Sequence, residues 1–166
     1  MQVSARPRSR KIIRKIAENV REQLGMKEMY RFPIVQVIEL LAADENEDFD
    51  FEIIDNKEMN NTYGKTNTVN NKMEIREDVY NGAVQGNPRD RFTLCHELGH
   101  WLLHQPKDVS FARGEIPKYC DPEWQANTFA AELLIPGYLT KGMNIEEVTA
   151  KCGVSFRCAE IQKSFY

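Results

Sequence analysis

The residues best suited to chemistry stand together in one stretch, residues 92–104, which contains all three histidines of the chain. His96 and His100 are four positions apart, so on a helix both imidazoles leave the same face about one turn apart. Two ring nitrogens at that spacing can bind one zinc ion, and Glu97 beside them can act as a base on a water molecule at the metal. The H-E-x-x-H pattern therefore predicts a hydrolytic zinc site.

The residues around this motif predict the helix that the site needs. Asn87 can cap a helix, and Pro88 suits a first helical position. Three leucines then repeat every four residues and form a buried stripe on a different side from the histidines: Leu94, Leu98 and Leu102. The alternative is a chance H-E-x-x-H whose histidines are surface or core residues. We favour the zinc interpretation because a histidine-poor chain places every histidine on this helix.

A catalytic zinc takes three protein ligands and keeps one position for water, so a third ligand is needed. His104 lies two turns beyond His96, about 12 Å along the helix axis, so the two rings cannot share a metal. We expect His104 beside the site, in contact with substrate, or at the surface. The third ligand is then a carboxylate or a cysteine. Four carboxylates follow at suitable positions: Glu115, Asp121, Glu123 and Glu132.

Among these carboxylates we favour Glu123. Asp121 is better explained as the cap of the next helix, which begins at Pro122. Glu132 lies nine residues after Glu123, so the two point to roughly opposite sides, and we expect Glu132 to face solvent. Asn127 shares the side of Glu123 and can hydrogen-bond a metal ligand. The alternative for Glu123, a carboxylate that only complements the helix N-terminus, stays open.

Composition bounds the class of protein. A chain of 166 residues with 42% hydrophobic and 28% charged residues is typical of one globular domain. No apolar run is long enough to span a bilayer, and no apolar segment follows the basic N-terminus as in a secretory signal. The four cysteines form no C-x-x-C pair, so we expect reduced thiols, a small buried role for Cys95, and a cytoplasmic location.

The order of patterns along the chain predicts an α+β fold. A basic flexible arm (residues 1–9) precedes one domain (10–140), and a C-terminal helical pair (141–166) either belongs to that domain or follows it. Helices are expected over residues 9–24, from Pro33, around H-E-x-x-H and from Asp121. Strands are expected at residues 49–53, 62–69 and 72–80, with loops at 81–91 and 105–119. The result is a small, mainly antiparallel sheet packed with the active-site helix and further helices.

Two segments, residues 91–100 and 123–136, resemble the ImmA/IrrE family of zinc metallopeptidases. That family shows R-F-T-L-A-H-E-L-G-H followed by E-x-x-A-N-x-F-A-A-x-L-L-x-P, and only Cys95 departs from the first pattern, in place of Ala. The resemblance implies a zincin-like minimal metallopeptidase that holds one Zn²⁺ per chain. It assigns the metal ligands to His96, His100 and Glu123, and the catalytic carboxylate to Glu97.

The resemblance also implies a protein substrate, namely a helix-turn-helix transcriptional repressor of a mobile element or stress regulon. Hydrolysis of an amide needs a donor that stabilises the oxyanion. Tyr63, Tyr138 and His104 are the candidates, and the sequence does not choose among them. An extended peptide is expected to pair with the strand at residues 72–80, beside the zinc helix.

A DNA-binding regulator is the alternative function. Residues 144–162 resemble half of a helix-turn-helix, and zinc would then be a sensor or structural ion. The second helix carries only Arg157 and Lys163 as cations, which is a weak basic stripe for a DNA reader. Residues 1–31 carry nine Lys/Arg against three Glu, which we interpret as a solvated face that also attracts acidic segments of the same chain. A nucleic-acid partner is therefore not favoured, and no membrane partner is expected.

Overall fold

A computed structural model describes residues 1–166 and shows the mixed α+β architecture that the sequence predicts. The strands are β1 (Gln2–Ala5), β2 (Asp50–Ile54), β3 (Gly64–Asn67), β4 (Lys72–Arg76) and β5 (Val109–Ala112). The first helices are α1 (Arg10–Gln23), α2 (Ile34–Ala43), α3 (Asn56–Met59), α4 (Glu77–Val84) and α5 (Pro88–Leu103). They are followed by α6 (Pro122–Leu134), α7 (Gly137–Thr140), α8 (Ile145–Cys152) and α9 (Phe156–Lys163). No helix is both long and apolar enough to cross a membrane.

Helix α5 packs against α6, α4 and β3, so it lies at the centre of the fold. The Asn87 side chain accepts hydrogen bonds from the backbone N–H groups of Arg89 and Asp90, and this cap starts the helix. Leu94 and Leu98 are buried in the core. A Cβ on Gly99 would stand 3.0 Å from the Phe129 ring and 3.3 Å from the α6 backbone. Glycine at this position therefore allows α5 and α6 to approach closely enough to share a site.

The larger sheet has the order β2–β4–β3, with β2 parallel and β3 antiparallel to β4. Two of the three strand pairs in the protein are antiparallel, in line with the prediction, but the β2–β4 pair is not. The strand expected at residues 72–80 ends at Arg76, and helices α4 and α5 extend into the predicted loop at 81–91 from its two ends. Because β4 is the central strand, it has no free edge for a peptide, so that prediction is wrong. The free edge beside α5 belongs to β3.

Residues 2–5 form strand β1, whereas the sequence predicts a flexible arm over residues 1–9. Strand β1 pairs antiparallel with β5, and both lie where irregular chain was expected. Beyond the strand, the backbone N–H of Arg6 donates to Asp108 and that of Arg8 donates to Tyr119. Each strand is stabilised by pairing with the other, which is distant in the sequence. Neither segment alone therefore shows a strong strand pattern.

Glu132 is buried at 1% exposure, so the prediction that it faces solvent is wrong. Its carboxylate accepts hydrogen bonds from Arg10 and Arg14 of α1 and from the hydroxyl of Tyr166. Two of the α1 cations are thus paired with a carboxylate of α6 and not with an acidic surface segment. Burial, together with the hydrogen bond to Glu132, raises the pKa of Tyr166 to about 12.

We expect Tyr166→Phe to be about 1 kcal/mol less stable than the wild type at pH 8, because the hydrogen bond to Glu132 is lost. A tyrosine whose pKa is raised on folding stabilises the fold only while it is protonated. The advantage of the wild type should therefore shrink between the ordinary tyrosine pKa of 10.0 and about 12. Urea denaturation of both chains at pH 8, 10 and 11.5 measures this difference, and a gap that stays constant with pH contradicts it.

Candidate metal centre

Helices α5 and α6 bring two imidazoles and one carboxylate together. The ligand atoms of His96, His100 and Glu123 lie within 4.8 Å of one another. Nε2 of His96 is 3.2 Å from one carboxylate oxygen of Glu123, and Nε2 of His100 is 3.0 Å from the other. The two Nε2 atoms are 3.0 Å apart. The three residues selected from the sequence thus face a common point.

The start of α6 places Glu123. The Asp121 side chain caps the helix by accepting from the backbone N–H of Glu123, and Pro122 occupies the first turn. The carboxylate of Glu123 then projects from this first turn toward the histidines of α5. Contacts with His100 and His96 hold the pKa of Glu123 far below its usual range, even though partial burial acts in the opposite direction. This carboxylate is therefore negative and able to bind a cation near neutral pH.

Asn127 fixes the orientation of His96. Its side-chain oxygen lies 2.8 Å from Nδ1 of His96, so Nδ1–H donates to the amide oxygen and Nε2 keeps its lone pair. Burial favours the neutral ring, but the carboxylates of Glu123 and Glu97 and the Asn127 amide outweigh it and raise the pKa of His96. The site therefore attracts positive charge at the point that both Nε2 atoms face.

A second chain of hydrogen bonds leads away from His100. Nδ1 of His100 lies 2.9 Å from Nδ1 of His104, and Nε2 of His104 lies 3.1 Å from Oε1 of Gln125. That oxygen also accepts from the Arg8 guanidinium at 3.1 Å. The Gln125 amide nitrogen donates to the carbonyls of Arg6 and Tyr119. Burial, reinforced by the neighbouring His100, lowers the pKa of His104 to about 4.

These contacts determine where the hydrogens lie. Arginine only donates, so the Gln125 atom facing Arg8 and His104 is the amide oxygen. Nε2 of His104 must then carry the hydrogen, and in a neutral ring Nδ1 is left as an acceptor. Nδ1–H of His100 donates to that acceptor, which leaves the lone pair of His100 on Nε2. Both histidines therefore present Nε2 as an electron-pair donor toward Glu123.

Glu97 lies against β3 and is 6% exposed. The hydroxyl of Thr66 donates to its carboxylate at 2.7 Å. A Cβ at Gly64 would stand 3.1 Å from Cγ of Glu97 and 2.8 Å from Cδ1 of Ile75, so glycine leaves room for the Glu97 side chain. The sequence pattern identified Glu97 but not Thr66 or Gly64, because β3 and α5 meet only in the folded chain.

The three candidate oxyanion donors lie in different places. Tyr63 lines the cavity that contains His96, Glu97 and His100, whose volume is about 490 Å³. Both ring nitrogens of His104 are engaged in the chain described above. The Tyr138 hydroxyl donates to the carbonyl of Lys27, and this residue lines none of the cavities that contain the histidines. Arg8 and Gln125, which the sequence did not suggest, belong instead to the hydrogen-bonded surroundings of His100.

Comparison with known proteins gives a family. The family model of the IrrE N-terminal-like domain of M78 peptidases matches residues 54–160, which is more than half of the chain and includes every residue of the metal centre. The chain belongs to the M78 peptidase family. This confirms the resemblance stated from the two motifs, and membership supports a metallopeptidase in general terms. Curated protein sequences give no match.

Among solved structures, a Mycobacterium tuberculosis transcriptional regulator is similar in fold. The TM-score is 0.57 at 14% sequence identity, over 89% of this chain and 44% of the other. This M78 chain thus spans less than half of that protein. At this identity the likeness concerns the fold alone.

Proposed function

We propose that this protein is a zinc-dependent endopeptidase that acts in the cytoplasm on a protein substrate. The observation that carries the proposal is the convergence of two histidine Nε2 atoms and one carboxylate within 4.8 Å, with Glu97 beside them in the same cavity. Two histidines and a glutamate are the protein ligands of a common class of catalytic zinc site, which keeps a position open. The site thus has the donors of a zincin-like hydrolase.

The donor set fits zinc in chemistry and in size. Ligand atoms at about 2.0–2.1 Å from a tetrahedral zinc lie about 3.3 Å from one another. Here the two Nε2 atoms are 3.0 Å apart, and each lies 3.0–3.2 Å from a different oxygen of Glu123, so small side-chain rotations would bring one carboxylate oxygen to both. Asn127 and His104 hold the two rings in the tautomer that leaves Nε2 unprotonated, which is the form that binds a metal. His96, His100 and Glu123 would hold the ion.

The reaction we derive is hydrolysis of a peptide bond. Zinc held by these three residues would acidify a water molecule and polarise the scissile carbonyl. Glu97 takes a proton from the attacking water and delivers it to the leaving amine. Thr66 keeps the Glu97 carboxylate in place through its 2.7 Å hydrogen bond. Of the three donor candidates, Tyr63 lines this cavity and its hydroxyl is not engaged in another hydrogen bond. We therefore assign to Tyr63 the stabilisation of the oxyanion.

Substrate binding follows from the free edge of β3. An extended peptide can add to this edge and run across the cavity next to Glu97. Antiparallel pairing is the slightly more stable choice per residue. The family resemblance makes a helix-turn-helix repressor the protein substrate that we propose. The solved structure with a similar fold is described as a transcriptional regulator. That description is consistent with a role in transcription but does not identify a substrate of this chain.

The DNA-binding alternative gains no support from the C-terminal helices. Val148, Cys152, Val154 and Ala159 of this pair are buried in the main core cluster. Arg157 is paired with Glu160, so little free positive charge remains on α9. We therefore do not propose DNA binding.

The test is zinc-dependent proteolysis. The purified chain, analysed for metal content, is incubated with a helix-turn-helix repressor encoded next to its gene and, in parallel, with a quenched peptide library. We expect about one zinc per chain, cleavage that stops after dialysis against a chelator, and recovery on adding one equivalent of zinc. Full cleavage by a chain without detectable metal, or no cleavage of either substrate by the zinc-loaded chain, would overturn the proposal.

A further inference from the structure

An open groove leads from the metal centre toward the C-terminal helix. Its volume is about 650 Å³, and it lies between α5, α6 and α9. Apolar side chains line it: Phe92, Trp124, Val154, Ile161 and Phe165. Ile161 and Phe165 are 44% and 46% exposed, whereas Val154 is buried at the base. The groove thus presents apolar surface that no residue of this chain covers.

The charged residues that line this groove are all cations. Arg10 is already paired with Glu132. Arg89 and Lys118 form no ion pair, and each lies over an aromatic ring, Arg89 over Tyr63 and Lys118 over Trp124. No carboxylate lines the groove. An acidic group entering it therefore finds two unpaired positive charges beside apolar surface.

The opposite side of the metal centre has the reverse character. A cavity of about 710 Å³ there is lined by His100, by the carboxylates of Glu115, Asp121 and Glu123, and by one cation, Lys118, which it shares with the groove. The cleft thus has an acidic side and a basic, apolar side, with the histidines between them.

The direction of β3 determines which end of a bound peptide lies on each of these two sides. Thr68, just after β3, lines the acidic cavity, whereas Tyr63, just before it, lies under Arg89 at the groove. Phe92, Thr93 and Asn127 line both the groove and the cavity around the metal centre, so the two are continuous. A peptide antiparallel to β3 runs from Thr68 toward Tyr63. Its residues after the cleaved bond therefore reach the groove.

We propose that the α5–α6–α9 groove binds the part of the protein substrate that follows the cleaved bond, and that it selects a large apolar side chain accompanied by Asp or Glu. This inference rests on the proposed function and adds a substrate class to it. The apolar walls bury the large side chain, and Arg89 with Lys118 attract the carboxylate. The acidic cavity on the other side disfavours acidic residues before the cleaved bond.

The experiment compares cleavage sites in a proteome-derived peptide library, read by mass spectrometry. The zinc-loaded wild type is compared with Arg89→Glu/Lys118→Glu. The control is Arg113→Glu/Lys141→Glu, which changes the net charge equally at two exposed positions outside the groove. Arg89 lies in the first turn of α5, where a glutamate suits the helix N-terminus, so the fold is expected to survive.

For the wild type and the control we expect large apolar residues and Asp or Glu to be enriched after the cleaved bond. The groove variant should select Lys or Arg there instead. In a matched pair of peptides that differ in one Glu or Lys, the ratio of kcat/KM should shift about tenfold, mainly through KM. Ile161→Ser should reduce the apolar enrichment without changing the charge preference.

The outcomes separate the two proposals. If the zinc-loaded wild type cleaves neither the library peptides nor the repressor, the proposed function fails and the groove inference fails with it. If it cleaves the repressor but no library peptide, the peptidase stands and the groove inference is overturned. If it cleaves peptides without this enrichment, or with an enrichment that the charge reversal does not change, the peptidase stands and the groove inference is overturned. Enrichment before the cleaved bond would likewise overturn the assigned direction.

Discussion

Replacing Glu97 by Gln is expected to lower kcat for peptide hydrolysis by about 10²–10⁴-fold, the usual contribution of a positioned general acid–base group. The amide has nearly the same shape but cannot accept the proton of the attacking water. Its oxygen can still accept from Thr66, which lies 2.7 Å from the native carboxylate, so the side chain should stay in place. Initial rates with saturating peptide measure the loss.

Metal content decides how this loss is interpreted. Glu97 is not one of the three residues whose ligand atoms converge, so Glu97→Gln should bind as much zinc as the wild type. Glu45→Gln makes the same chemical change at an exposed residue of a turn and should leave both rate and metal unchanged. A Glu97→Gln chain that binds zinc normally and keeps wild-type kcat would remove Glu97 from the mechanism.

The local parts of the site follow directly from the sequence. The spacing of His96 and His100 needs only a helix, and the cap at Asn87 with Pro88 marks where that helix begins. Asp121 and Pro122 mark the start of α6 in the same way, which gives Glu123 its position near the N-terminus. Short-range rules are reliable here because the relevant hydrogen bonds join residues two to four positions apart.

The errors at residues 2–5 and at Glu132 depend on partners distant in sequence. Residues 2–5 form a strand because β5 pairs with them across more than a hundred residues. Glu132 is buried because Arg10, Arg14 and Tyr166 surround it, although helical periodicity alone places it away from the site. Such pairings leave no periodic signal in either segment.

The surroundings of His100 are the main part of the site that the sequence did not show. Helix spacing places His104 too far from His96 to share the metal with it, and His104 lies instead behind His100. Gln125 points toward it from α6, and Arg8 reaches the same amide from the N-terminal segment. Helix geometry thus excludes His104 as a ligand of the same metal as His96. The same geometry places His104 one turn after His100, where it can hydrogen-bond that ligand.

We expect His104→Leu to weaken zinc binding by about 10–100-fold, the usual cost of removing the partner of a metal-bound histidine. Leucine has no acceptor for Nδ1–H of His100, so the ring can rotate or adopt the other tautomer. His104→Asn is the matched variant, because its side-chain oxygen lies near the position of the lost Nδ1. It should keep zinc affinity within a few-fold of the wild type. Competition with a chromophoric chelator measures both.

Two further measurements separate orientation of the ligand from a general loss of structure. Thermal unfolding of the metal-free chains shows whether His104→Leu remains folded, and nitrogen NMR of labelled histidine reports which ring nitrogen carries the hydrogen. We expect Nδ1–H on His100 and Nε2–H on His104 in the metal-free wild type, because Gln125 and Arg8 leave no other arrangement of donors. If folded His104→Leu binds zinc as tightly as the wild type, His104 does not orient His100. Arg8 and Gln125 then have no part in orienting a metal ligand, because their hydrogen bonds reach His100 through this ring.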